Sequence, residues 1–337
     1  MLKFERHPKN PIVTPTTIHW RSGVVFNPAV VEGPEGGYIM IDRAAMLRPF
    51  QSSFGALKSD NAVDFELISR DPVWTAGDVG SPLGDMEDPR ITKIGDTYYM
   101  TYVYYHSHWN LYPQGPLGYA MYEEIPCSKT KDIAFQARTG VAKSKDCINW
   151  ENIGWTGPEG WDDKDCVFFP EKIDGKFWMF SRPRNQIGEK WGCERPSIWL
   201  RTSEDMETWS EAKLHSQPEN MDWQCDKIGA SAPPIKTEAG WLMNFHGVAR
   251  NEYRIGYMLL DLEDPFKIIA RTDQPVMEPE FYYEKAGYII PNCIFTSASI
   301  VKDGDLYLYY GACDSVICLA TIKLDTLVNF LLEECKV

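Results

Sequence analysis

Five times along this chain a turn of Gly with an acidic, Ala or Gly neighbour opens a short aromatic or aliphatic strand. The strands are Gly36-Gly37-Tyr38-Ile39-Met40-Ile41, running to Asp42-Arg43; Gly95-Asp96-Thr97-Tyr98-Tyr99-Met100; Asp174-Gly175-Lys176-Phe177-Trp178-Met179-Phe180, running to Arg182; Ala239-Gly240-Trp241-Leu242-Met243-Asn244-Phe245, running to His246; and Asp303-Gly304-Asp305-Leu306-Tyr307-Leu308-Tyr309-Tyr310, running to Asp314. One turn-plus-strand unit repeated roughly every 60 to 80 residues is the signature of a β-propeller. The count predicts an all-β fold, a five-bladed β-propeller, and a single domain over residues 1–337. Equivalent strands of a propeller run toward one central channel, so Arg43, Arg182, His246 and Asp314 are expected to converge although they are far apart in sequence.

A second element repeats in phase with the first. Lys58-Ser59-Asp60 precedes Phe65, Lys143-Ser144-Lys145-Asp146 precedes Trp150, and Thr202-Ser203-Glu204-Asp205 precedes Trp209. Small and acidic residues make a turn and a ring follows, which reads as an outer hairpin whose ring packs between sheets. Leu260-Asp261-Leu262-Glu263-Asp264-Pro265 reads as the same corner in another blade. The last residues, Asp325 to Cys335, carry a helical period and predict a short C-terminal helix. From Tyr104 the rhythm breaks, and an insertion over the channel mouth is expected at about 104–142, rich in aromatic residues, Gly and Pro. Within it His106 and His108 read as exposed loop histidines rather than metal ligands.

A net charge of -14 excludes nucleic acid or an anionic membrane as the main partner, since both need a basic face. The same charge makes a cluster of cations at a pocket more telling. Nine cysteines, an odd number without regular spacing, read as reduced thiols, and no stretch approaches the length of a membrane span. The expected location is cytoplasmic. Nothing in the sequence fixes whether the chain forms a homo-oligomer.

The densest polar run is Gly84-Asp85-Met86-Glu87-Asp88-Pro89-Arg90, where a Pro fixes the backbone and an Arg stands within four residues of two acids. Read alone, it is either a functional carboxyl with a tuning cation or a surface turn with a local ion pair. In order along the chain come Glu87-Asp88-Pro89-Arg90, Phe169-Pro170-Glu171-Lys172-Ile173, Lys227-Ile228-Gly229-Ala230-Ser231-Ala232-Pro233-Pro234-Ile235, His246-Gly247-Val248, Leu260-Asp261-Leu262-Glu263-Asp264-Pro265, Glu278-Pro279-Glu280 and Tyr310-Gly311-Ala312-Cys313-Asp314. This series resembles glycoside hydrolase family 130, five-bladed propellers that act on β-mannosides, most as inverting phosphorylases and some as hydrolases.

The resemblance implies that Asp88 is the catalytic acid, protonating the glycosidic oxygen through a hydroxyl of the mannosyl ring while phosphate attacks the anomeric carbon from the opposite face. It implies phosphate ligands at Lys164, Arg182, Lys227 and His246, and sugar-holding side chains at Asn27, Arg43, Glu87, Arg90 and Asp314. Each has a structural alternative: Lys227 as a blade-edge charge, Arg182 in a pair with Glu171, His246 as a satisfied core histidine. No metal or organic cofactor is implied, and inorganic phosphate enters as co-substrate beside a small β-mannoside. An inverting hydrolase would instead need a second carboxylate to activate water, for which Glu171, Glu278 and Glu280 are the candidates. A propeller that binds glycans without turnover is the third alternative.

Overall fold

The structure, a computed structural model, describes residues 2–48, 50–106 and 136–337. Strand β1 (Glu5–Arg6) opens the chain. Blade one follows as β2 (Val24–Glu32), β3 (Tyr38–Ala45), β4 (Ser52–Ser59) and β5 (Glu66–Leu67), and blade two as β6 (Asp85–Ile94), β7 (Thr97–Tyr105), β8 (Arg138–Ser144) and β9 (Glu151–Trp155). Blade three is β10 (Asp163–Phe168), β11 (Phe177–Pro183), β12 (Ile198–Ser203) and β13 (Lys213–Ser216). In blade four the inner strand is split into β14 (Lys227–Ala230) and β15 (Ile235–Thr237), both paired with β16 (Gly240–Ala249), and β17 (Glu252–Leu260) and β18 (Ile268–Arg271) complete the sheet. Blade five is β19 (Ile294–Lys302), β20 (Asp305–Ala312) and β21 (Val316–Lys323), with β1 as its fourth strand. The expected propeller is therefore present with five blades.

Each predicted Gly turn joins the first strand of a blade to the strand beside it. At Asp174-Gly175 and Asp303-Gly304 both residues have positive φ (51° and 73°, 52° and 78°), the twist that a two-residue antiparallel hairpin prefers. The outer corners form as read: the hydroxyls of Ser144 and Ser203 accept the backbone N–H three residues on, at Cys147 and Met206 (2.9 Å each). Phe65 meets Tyr309 of blade five edge to face, with ring centroids 6.0 Å apart.

Burial is concentrated between blades rather than within them. Met40 and Leu57 pack with Tyr309, Ile317 and Leu319 at the seam between blades one and five. Ile41 and Phe54 pack with Met86 and Met100, Val141 with Phe168 and Met179, Phe180 and Leu200 with Met243 and Met258, and Leu242 and Leu259 with Leu306 and Leu308. At about 25 cal/mol per Å² of apolar surface removed from water, these five seams are the main favourable term in the ring's assembly. Ring closure rests on β1, whose Glu5 and Arg6 lie opposite Thr321 and Ala320. Arg6 Nε donates to the buried Glu284 (3.1 Å), which also accepts from the Tyr310 hydroxyl (2.7 Å) and the backbone N–H of Glu280.

The C-terminal helix spans Leu324–Glu334, one residue earlier than read, and buries Leu327 and Leu331 at the seam between blades four and five. Two single-turn helices, Met221–Gln224 and Tyr282–Lys285, are too short to leave a helical period in the sequence. The expected insertion is narrower than 104–142: Tyr104 and Tyr105 end β7, and 138–142 belong to β8, because both ranges pair as regular strands of blade two. Most of the insertion, including His108, lies outside the described residues. The eight cysteines among the described residues are free thiols. No described helix is long and apolar enough to cross a membrane.

Candidate active site

The first strands of blades one, two and three each carry a bulge at an equivalent place. Pairing slips between Phe26 and Ala29, between Glu87 and Arg90, and between Lys164 and Val167. In the slipped segments Asn27, Asp88 and Asp165 take left-handed backbone, with φ of 44°, 51° and 56°. Asn and Asp tolerate that conformation better than other side-chain-bearing residues, and a bulge re-aims the side chain it carries. Three polar groups are thus turned into one cavity by one device used three times.

That cavity has about 610 Å³ of non-atom space, open mouth included. All five blades line it. Asn27 and Arg43 come from blade one, Glu87 and Asp88 from blade two, Lys164, Asp165 and Arg182 from blade three, Lys227 and His246 from blade four, and Asp314 from blade five. Phe26, Phe50, Tyr253, Ile289, Ile290 and Phe295 supply apolar wall. The four strand-end residues Arg43, Arg182, His246 and Asp314 do converge.

Asp88 is anchored through one oxygen. Asn27 Nδ2 (2.8 Å) and an Arg43 terminal nitrogen (3.1 Å) both donate to Oδ1, and among the described residues no donor reaches Oδ2. Arg43 also donates to Glu87 (3.1 Å), while its Nε is held by Ser52 (3.0 Å) and its guanidinium lies over the Phe26 ring. Lys164 Nζ donates to the other oxygen of Glu87 at 2.9 Å. Burial alone would raise the Glu87 carboxyl, but Lys164 and Arg43 overcome it and hold the group down at about 2. Glu87 is therefore an acceptor only.

Arg90 departs from the expectation. It does not line the cavity: it is 2 % exposed, its Nε donates to the Ser231 carbonyl (2.7 Å), and a terminal nitrogen donates to Asp165 Oδ1 (2.8 Å). The bulge at Asp88-Pro89 turns it toward the seam with neighbouring blades. Arg182 pairs not with Glu171 but with Asp165, to which its Nε donates; Glu171 pairs with Lys236 at the surface. Asp165 thus takes Arg90 on one oxygen and Arg182 on the other.

His246 is a buried neutral ring. Burial, reinforced by Arg182, Lys227 and Arg90 against the pull of Asp165, pushes it down to about 3. Ser231 Oγ lies 3.2 Å from Nδ1 and Asp165 3.4 Å from Nε2. Gly229 makes this contact feasible, since a Cβ there would come within 2.2 Å of Asp165 and 2.6 Å of the His246 ring. Between the ordinary value of 6.5 and about 3, the unfolded chain holds a proton here that the folded chain does not. The stabilisation is present above the unfolded value and is lost as pH falls. His246→Gln is expected to remove up to one proton's worth of slope from the unfolding free energy between about pH 6 and 4; urea melts with an unchanged slope would show that the folded ring is already charged.

Asp165 was not among the residues singled out from the sequence, although a signal exists. Asn27, Asp88 and Asp165 each stand seven to ten residues before a predicted Gly turn. The first two are followed by Pro, whereas Cys166 follows the third.

The arrangement joins one carboxyl with an uncommitted oxygen to a set of cations across the same cavity. A family model described as β-1,4-mannooligosaccharide phosphorylase matches residues 3–333. The chain is 33% identical over 332 residues to a 1,2-β-oligomannan phosphorylase of Thermoanaerobacter sp. (strain X514), covering 96% of this chain and 98% of that protein. It is 32% identical over 338 residues to a β-1,2-mannobiose phosphorylase of the same organism, with 96% and 98% covered. The solved structure of the β-1,2-mannobiose phosphorylase from Listeria innocua, in complex with β-1,2-mannobiose, superposes with a TM-score of 0.74 at 22% identity, over 97% of this chain and 99% of that one.

Proposed function

Because this chain belongs to glycoside hydrolase family 130, we propose that it is an inverting β-mannoside phosphorylase, splitting β-linked mannosyl di- or oligosaccharides with inorganic phosphate to give α-mannose 1-phosphate. The observation that carries the reading is the convergence of Lys164, Arg182, Lys227 and His246 with Asp88 in one cavity of a chain whose net charge is -14. A protein of that charge repels phosphate at long range, so a phosphate user must gather cations locally.

In this reading the glycosidic C1–O bond breaks as a phosphate oxygen bonds to C1 from the opposite face. The proton on Asp88 Oδ2 passes to the leaving oxygen through a hydroxyl of the mannosyl ring, and the hydrogen that phosphate brings restores it. Asn27 and Arg43 fix Oδ1, so the carboxyl cannot rotate away. Arg90 acts at one remove, by holding Asp165. The linkage we propose is β-1,2, supported by the two relatives that match nearly end to end.

The hydrolytic alternative needs a carboxylate free to activate water. Glu171 pairs with Lys236, Glu278 with Arg254, Glu280 stands by Arg6, and none of the three lines the cavity. The test is release of mannose 1-phosphate against free mannose from β-1,2- and β-1,4-mannobiose, with and without millimolar phosphate. Phosphate-dependent mannose 1-phosphate, faster from the 1,2 isomer, is expected. Free mannose at an equal rate without phosphate would make the enzyme a hydrolase.

A further inference from the structure

A carboxylate in the middle of a phosphate seat needs a reason, and Asp165 is one. It is 2 % exposed, lines the cavity, and lies directly beside two of the groups expected to bind phosphate, Arg182 and His246. We propose that Asp165 makes the seat selective for an oxyanion that carries a hydrogen, admitting phosphate and rejecting sulfate; this rests on the phosphorylase reading above.

The argument starts from donor and acceptor counts. An ionised carboxylate has about four lone-pair sites and no hydrogen to give. Here Arg90 takes one site on Oδ1, Arg182 one on Oδ2, and His246 stands 3.4 Å from Oδ2, which leaves acceptor capacity on Oδ1. Burial alone would neutralise the group, but the Arg182 and Arg90 guanidiniums hold it well below the usual carboxylate range. Asp165 therefore stays an acceptor across the working pH range. An anion oxygen turned toward it must bring its own hydrogen or leave two like-charged acceptors face to face, which is costly in a site shielded from water.

Near neutral pH phosphate and arsenate both carry at least one hydrogen, and sulfate carries none. Size, shape and charge of the anions are otherwise close, so the hydrogen is the feature left to read. Glu87, another carboxylate of the cavity, gives one oxygen to Arg43 and the other to Lys164, whereas Asp165 is the one that lies against Arg182 and His246.

The experiment measures phosphate KM and sulfate inhibition of phosphorolysis, with chloride holding ionic strength constant, in the wild type and in Asp165→Asn. Thermal-shift titration with each anion runs in parallel, so that a folded but inactive variant still reports. In the wild type, arsenate is expected to replace phosphate as nucleophile, and sulfate to bind at least about tenfold more weakly than phosphate, the factor that one charged hydrogen bond supplies. In Asp165→Asn the amide can donate where the carboxylate could only accept, and the sulfate-to-phosphate gap is expected to narrow about tenfold. Sulfate competing on equal terms in the wild type would overturn the proposal without the variant, and so decides it even if Asp165→Asn does not fold. An unchanged gap in a folded variant would overturn it too. Mannose release that needs neither phosphate nor arsenate would instead overturn the phosphorylase reading, and this one with it.

Discussion

Asp88→Asn is expected to lower kcat by about 10²–10⁴-fold, the usual worth of a positioned general acid, while KM for the mannoside changes by only about twofold. The separation follows from the geometry. Asp88 Oδ1 is the oxygen that Asn27 and Arg43 hold, and an amide oxygen can accept the same two hydrogen bonds. The amide nitrogen then occupies the place of Oδ2 without a proton acidic enough to transfer. Binding geometry survives and the proton is lost. Steady-state kinetics beside a thermal melt decide the matter: a variant that melts like the wild type and keeps more than about a tenth of its kcat would remove Asp88 from the role of acid.

The second large effect falls on phosphate. Arg182→Met is expected to raise KM for phosphate by about 10- to 100-fold, the range of one to two charge-assisted hydrogen bonds, with the mannoside KM nearly unchanged. Arg182 is also the cation that contributes most to keeping Asp165 ionised, so the Asp165 carboxyl moves up toward ordinary values in the variant. A phosphate KM equal to that of the wild type would place the phosphate elsewhere in the cavity. Equal losses in both KM values would mean that Arg182 supports the fold of the site rather than one substrate.

Much of this site was legible in the sequence because the constraint that made it legible is local. A two-residue hairpin demands Asp-Gly or its equivalents, so the first hairpin of each blade is written in short words, and strand-end residues such as Arg43 and His246 can be counted from it. What was not legible depends on bulges and on distant pairs. Arg90 follows a bulge that changes which way the strand faces, so it turns away from the cavity that Glu87 and Asp88 line. Asp165 occupies the same kind of bulge without the Pro that marks its two counterparts. Glu284 was unreadable for another reason: its partner Arg6 is 278 residues away, and only closure of the ring brings them together. The boundaries of the insertion failed because aromatic richness does not distinguish the end of one strand from the loop beyond it.

The strand that seals the ring is also what makes the catalyst indivisible in time. During synthesis the ribosome delivers Asn27 long before Asp314, while β1 must wait for β21 before it has a partner. Blades two and three, which share no seam with blade five, can be hydrogen-bonded and packed in a nascent chain that still has no complete pocket. Turnover would therefore switch on in a single late event, and a chain stalled or clipped before its final sheet would be silent however native its earlier blades were. For the cell, activity is then a receipt for a finished molecule.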